Sequence, residues 1–230
     1  MRKLGLVGGT GPEATVLYYR GLIAGVAKIK GPEALPKLSI ESLSPFEVFE
    51  FCAAHDLTGL TDYLLDAINN LAAAGAECAA LTAGTTHLVF DELATRAPIP
   101  LVSMLDATRN EAQAGGVSTV GLLGTAFTMN SDFFARSFAK AGIKVVVPSA
   151  EKIAVIQKMI ATELEHGIVK EVSQQQLVSI IKEMVAEQGI EQVILGCTEL
   201  PLILNDTLSP VPCLDPVPLH ISALVNYITS

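Results

Sequence analysis

The chain has no apolar run approaching the roughly 18 to 20 residues that a membrane span requires, although half of its residues are apolar. It has no basic cluster either. Its 15 Lys and Arg stand against 24 Asp and Glu, a net charge of −9, whereas a phosphate backbone needs a concentrated positive face. Close cysteine pairs are missing, since Cys52, Cys78, Cys197 and Cys213 have none of the spacing of a metal ribbon or a redox motif. His55, His87, His166 and His220 are scattered in the same way and lack the helical-turn spacing of a zinc protease. These absences argue against a membrane span, a nucleic-acid surface and a dedicated metal site. The opening "MRKLGLVGGTG" reaches its glycines too early for a signal peptide. The expectation is a soluble, cytoplasmic protein whose partner is a small molecule.

What is present is a recurring short run rich in Val, Ile and Leu. Such runs are "KLGLVG" from Lys3, "KLSIES" from Lys37, "CAALTA" from Cys78, "PLVSML" from Pro100, "TVGLLG" from Thr119, "KVVVP" from Lys144, "QVILGC" from Gln192 and "VPCLD" from Val211. Between them lie amphipathic stretches such as "LTDYLLDAINNLAAAG" from Leu60, with apolar residues three and four apart and Gly75 as a stop. Strand then helix, repeated, predicts an α/β protein with mostly parallel sheets flanked by helices.

The order of elements also repeats. "GLVGGT" from Gly5 corresponds to "GLLGTA" from Gly121, "AGAECAALTAG" from Ala74 to "QGIEQVILGCT" from Gln188, and "PIPLV" from Pro98 to "PVPCL" from Pro210, all at nearly constant offset. Two similar α/β lobes follow, residues 1–104 plus 208–230 and residues 105–207. Ligands of open parallel sheets bind beyond the carboxyl ends of the strands, so the expected site is a cleft shared by such loops from both lobes.

The repeat sets Ala83 in "LTAGTTH" against Cys197 in "LGCTEL". A cysteine between a strand and a helix start meets backbone N–H groups that favour its thiolate, and Gly196, Thr198 and Glu199 surround it in sequence. The alternative is an inert cysteine closing a strand. In "GLVGGTGPEAT", Gly9, Gly11 and Ala14 match a dinucleotide fingerprint, with Glu41 as the acid for a ribose. The same turn suits a small carboxylate, and that reading is preferred because "GLLGTAFTM" repeats the position without the glycine spacing. Thr125 and Thr128 there offer hydroxyls, either to a ligand or as helix caps. His87 is a candidate proton donor or a structural hydrogen-bonder. Asp215 and His220 read best as a strand-end cap and a core histidine.

Taken together, "GLVGGTGPEAT", "AGTTHLVFDEL", "IPLVSMLDAT", "GLLGTAFTM", "VILGCTELPLIL" and "DPVPLHI" resemble the aspartate/glutamate racemase family of cofactor-independent amino-acid racemases, over nearly the whole chain. The resemblance implies two pseudo-twofold lobes with the active site between them, no cofactor and a homodimer. It implies two bases, one on each lobe, working on opposite faces of an α-carbon. Cys197 matches the second base. Thr10, Thr85, Thr125 and Thr198 match carboxylate contacts, and Gly9, Thr86 and Thr128 share their loops as further candidate substrate contacts. At the first base the family reads Cys-Asn-Thr-x-His, whereas this chain reads Ala83, Gly84, Thr85, Thr86, His87. Thr82 is adjacent, but strand alternation aims it away. Glu165 stands in a helix where some relatives carry a basic residue for a distal carboxylate.

Arylmalonate decarboxylases, a related branch, share this one-thiol pattern. Three readings therefore stand: an isomerase of aspartate or glutamate with Cys197 as acid/base, a one-base decarboxylase or isomerase of a dicarboxylate, and an amino-acid-binding protein without turnover.

Overall fold

The computed structural model describes residues 1–230, which divide into two units, Met1–Met104 with Val217–Ser230 and Leu105–Pro216. In the first, β1 (Leu4–Gly8), α1 (Pro12–Lys30), β2 (Leu38–Ser42), α2 (Pro45–Ala53), α3 (Leu57–Ala73), β3 (Cys78–Leu81) and α4 (Phe90–Arg96) follow one another. The strands pair in parallel in the order β2-β1-β3. Side chains alternate across a strand, and the core divides accordingly. Leu4, Leu6, Cys78 and Ala80 pack with Tyr18, Leu22 and Val26 of α1. Val7, Ala79 and Leu81 pack on the other face with Leu60, Leu64, Ile68 and Leu71 of α3. A central strand covered on both faces has to be apolar throughout, which is why "LGLVG" shows no polar alternation.

The second unit contains α5 (Met104–Ala114), β4 (Thr119–Leu123), α6 (Ala126–Asn130), α7 (Phe133–Ala139), β5 (Lys144–Val146), α8 (Ala150–Thr162), α9 (Glu171–Gln188), β6 (Gln192–Leu195) and β7 (Cys213–Leu214). Its parallel order is β5-β4-β6-β7. The sequence repeat is thus a repeat of topology: in each sheet the first strand lies between the second and the third. Leu101 bridges Ala79 beside β3 as β7 pairs beside β6. The run "PLVSML" contributes only that bridge to the sheet, because Met104 already opens α5. α10 (Pro216–Thr229) returns to the first unit, supplying Val217, Leu224, Val225 and Ile228 to the cluster around Leu4 and Leu6. The return falls at Val217 rather than at residue 208, since β7 is held in the second sheet by β6.

The helix read from Leu60 begins at Leu57, where the Asp56 side chain accepts a 2.8 Å hydrogen bond from the Gly59 N–H. It stops before Gly75, whose φ of +82° suits glycine. No helix is long and apolar enough to cross a membrane.

One buried polar chain ties α10 to the rest of the first unit. His220 lies 3.0 Å from the Val102 carbonyl through Nε2 and 2.6 Å from the Tyr18 hydroxyl through Nδ1. A carbonyl only accepts, so Nε2 carries the proton and Nδ1 accepts from Tyr18. Burial, with a smaller contribution from His87, lowers the His220 pKa to about 3. The folded value lies below that of an exposed histidine, so the unfolded chain takes up this proton first. Stability is expected to fall by up to ~1.4 kcal/mol per pH unit from about pH 6.5 down to about 3. Urea unfolding of wild type and His220→Gln across that range checks it, with the excess slope confined to wild type.

Candidate functional site

In the first unit the loop after β1 is set by Gly9. Its φ is +78°, and a Cβ there would lie 2.2 Å from the Leu43 carbonyl oxygen and 2.6 Å from Ser42 Oγ, so glycine is required for both conformation and contact. The Gly9 N–H is spent inside the protein on Thr15 Oγ1 at 2.9 Å. Gly9 therefore shapes the turn, and its N–H is not open to a ligand. Thr10 is different: its Oγ1 is buried and has no hydrogen-bond partner. Glu41 takes a 3.1 Å hydrogen bond from Asn70.

After β3, Thr82 is fully buried, donating to the Val7 carbonyl at 3.2 Å and lying 3.3 Å from Thr15 Oγ1. Its hydroxyl is engaged inside the first unit. The chain then enters a 3-10 turn, Thr85–Val89, instead of an α-helix. Thr86 Oγ1 donates to the Ala83 carbonyl at 2.7 Å and is consumed by the turn. His87 Nδ1 lies 3.0 Å from the same carbonyl, while its Nε2 takes the Met104 N–H at 3.1 Å. That pair of partners fixes a neutral ring with both nitrogens committed, so His87 braces the loop instead of donating protons. Thr85 is partly exposed. Gly84 has ordinary helical angles, φ −62° and ψ −43°, and a Cβ there would meet nothing within 4 Å. This glycine is not imposed by strain or crowding.

In the second unit the loops after β4 and β6 pack together through glycines. The Gly196 N–H donates to the Leu123 carbonyl at 2.7 Å, and a Cβ on Gly124 would lie 3.3 Å from the Gly196 carbonyl oxygen. Thr125 Oγ1 accepts from the Thr128 N–H at 3.2 Å and contacts Thr128 Oγ1 at 3.0 Å. Thr125 caps α6, and Thr128, largely buried, packs beside both glycine positions.

Cys197 follows β6 directly. Its Sγ donates to Glu199 Oε2 at 2.9 Å, and Thr198 Oγ1 donates to Glu199 Oε1 at 2.8 Å. The carboxylate therefore grips both neighbours. The helix start that would favour a thiolate does not follow Cys197. The next element is only a 3-10 turn, Leu200–Leu202, too short for an α-helical dipole. Burial, followed by the negative charge and hydrogen bond of Glu199 and the charge of Glu165, pushes the thiol well above the ordinary cysteine range. The resting pair is a protonated thiol on a carboxylate.

A family profile described as Asp/Glu/Hydantoin racemase matches residues 7–224. The chain belongs to that family. Among solved structures, a candidate Asp/Glu racemase from Yersinia pestis is 32% identical with a TM-score of 0.94, both chains being covered completely. An aspartate racemase homologue from Pyrococcus horikoshii OT3 is 35% identical with a TM-score of 0.89, again over the whole of both chains. The aspartate racemase of Picrophilus torridus, 20% identical with a TM-score of 0.77, shares the fold. A glutamate racemase from Limosilactobacillus reuteri is 28% identical over 126 residues, which is 55% of this chain and 44% of that protein. The chain thus matches less than half the length of that relative.

Two side chains beside these second-unit loops escaped sequence reasoning. Glu199 was visible only as a neighbour of Cys197, and its hold on the thiol needs the fold of the turn. Gln157 of α8 had no signal at all. Its Oε1 accepts the Ala126 N–H at 2.7 Å, which fixes the amide orientation and leaves the NH₂ group as a neutral donor beside the α6 loop.

Proposed function

We propose that this racemase-family protein exchanges the α-proton of an amino acid at one thiol–carboxylate pair, Cys197 and Glu199. The observation that carries the reading is the 2.9 Å contact from Cys197 Sγ to Glu199 Oε2. On substrate binding the thiol proton moves to the Glu199 carboxylate, the thiolate takes the α-proton, and the pair holds two protons beside a carbanion delocalised into the substrate carboxylate. Return of the proton from Sγ and of the other from Glu199 restores the starting state. In the first unit, the unbonded hydroxyl of Thr10 and the partly exposed Thr85 are the candidate donors to a substrate carboxylate. Aspartate and glutamate, named for the relatives, are the reference substrates.

Only one face of the α-carbon has a base in this reading. Ala83 offers a methyl, while Thr82 and His87 are committed to internal partners. Losing a positioned acid or base costs on the order of 10² to 10⁴ in rate. Proton NMR and chiral analysis of L- and D-amino acids in D₂O provide the test. Deuterium is expected at the α-carbon with configuration retained, and inversion at least ~10² slower. Inversion as fast as exchange would overturn the one-face mechanism.

A further inference from the structure

We infer that Gln157 is a substrate-binding residue, its amide NH₂ donating to the side-chain carboxylate of the amino acid on which Cys197 acts. The inference rests on the exchange site proposed above and names the group that reads the substrate's side chain there.

The strand order of the second unit, β5-β4-β6-β7, places a ligand crevice within that unit. The chain leaves β4 toward β5 on one side and leaves β6 toward β7 on the other. The crevice between the carboxyl ends of β4 and β6 is therefore the switch point at which open parallel sheets bind their ligands. Cys197 stands just beyond β6, on one side of it. The loop after β4 forms the other side, held close by the 2.7 Å hydrogen bond from the Gly196 N–H to the Leu123 carbonyl.

The hydroxyls of these two loops already have internal partners. Thr198 donates to Glu199, and the Thr125 and Thr128 hydroxyls bond to each other. Gln157 differs. Its Oε1 accepts the Ala126 N–H at 2.7 Å, which orients the amide, and neither Nε2 proton has a protein partner. The side chain is partly exposed, so an anchored donor at the β4 loop is open to a ligand. An NH₂ group of this kind only donates, which selects an acceptor oxygen. α8 follows β5, so Gln157 reaches the β4 loop from the β5 side, whereas Cys197 belongs to the β6 side. Neighbouring strands lie about 4.8 Å apart. The α-carboxylate is bonded to the reacting carbon and stays beside the thiol, so the group that extends across the crevice toward Gln157 is the substrate's side chain. In aspartate and glutamate it ends in a carboxylate, and hydrogen bonds to charged acceptors are among the stronger ones.

Gln157→Glu provides the test. The new carboxylate keeps an oxygen for the Ala126 N–H and replaces the free NH₂ with an acceptor, so it repels a side-chain carboxylate and accepts from a side-chain amide. α-Deuteration in D₂O and calorimetric dissociation constants are measured for two near-isosteric pairs, aspartate with asparagine and glutamate with glutamine, in both configurations. The acid-to-amide ratio of kcat/KM is expected to fall at least tenfold in each pair, through KM, and to recover partly in high salt. Dissociation constants should shift in the same direction. An unchanged ratio, or a loss common to both members of a pair, would make Gln157 only a brace for the α6 loop and overturn the inference. Gln157→Met removes the donor without adding charge and should lower the aspartate-to-alanine ratio about tenfold, since alanine has no side-chain acceptor; a wild-type ratio there would also overturn it. Should wild type bind amino acids and exchange none, the proton chemistry fails by itself, and a tenfold fall of the acid-to-amide affinity ratio in Gln157→Glu would still uphold the side-chain contact. No binding of any amino acid would overturn both.

Discussion

Cys197→Ser is expected to lower α-proton exchange by about 10² to 10⁴ at neutral pH. A serine hydroxyl keeps the size and the donor to Glu199, so the loop should hold its shape, but an alkoxide is far harder to form than a thiolate. Cys197 lies at a strand end and is only partly buried, so the urea midpoint should move little. Deuterium uptake by NMR together with that midpoint separates lost chemistry from lost fold. Turnover equal to wild type would place the reacting group elsewhere.

Glu199→Gln is the second large effect, and its two readouts should move in opposite directions. Without the carboxylate the thiol has no internal proton acceptor, and exchange at pH 7 should fall roughly 10²-fold, within the range for loss of a positioned base. The same change removes the charge and the hydrogen-bond acceptor that raise the Cys197 thiol, leaving burial as the main cause. More thiolate then forms at any given alkaline pH. Alkylation by iodoacetamide at pH 8 to 9 should speed up about tenfold while catalysis drops, and residual exchange should climb with pH. A purely structural Glu199 would lower both rates together.

The fold was legible in the sequence because its signals are local and repeated. Buried parallel strands have to be apolar on both faces, and "GLVG", "CAAL" and "VIL" were conspicuous for that reason. The repeat of loops and strands then located Ala83 and Cys197 at corresponding strand ends. What was not legible depends on turns and on side-chain partners. The segments after β3 and β6 tighten into 3-10 turns, a difference of one residue per hydrogen bond that periodicity does not encode. That difference removes the dipole expected at Cys197. Hydroxyls show the same limit: Thr10, Thr86 and Thr125 look equivalent in sequence, yet one is unbonded and two are engaged internally. The meeting of Gln157 with Ala126 joins residues from different elements, and neither position advertises it.

The discontinuous first unit also has a consequence for synthesis on the ribosome. The second unit is a single stretch, Leu105–Pro216, so all of its strands are synthesised, and leave the ribosome, ahead of α10. The first unit lacks until then the helix that buries Leu4, Leu6 and Tyr18 and that accepts the Arg2 N–H at Ile228. Domains fold as units, earliest-completed first. Although it begins last, the second unit should therefore finish first, while the amino-terminal half waits with one apolar sheet face covered by α1 alone. That interval is when chaperone capture and aggregation compete for the nascent chain, and slowing translation just before Val217 should lengthen it.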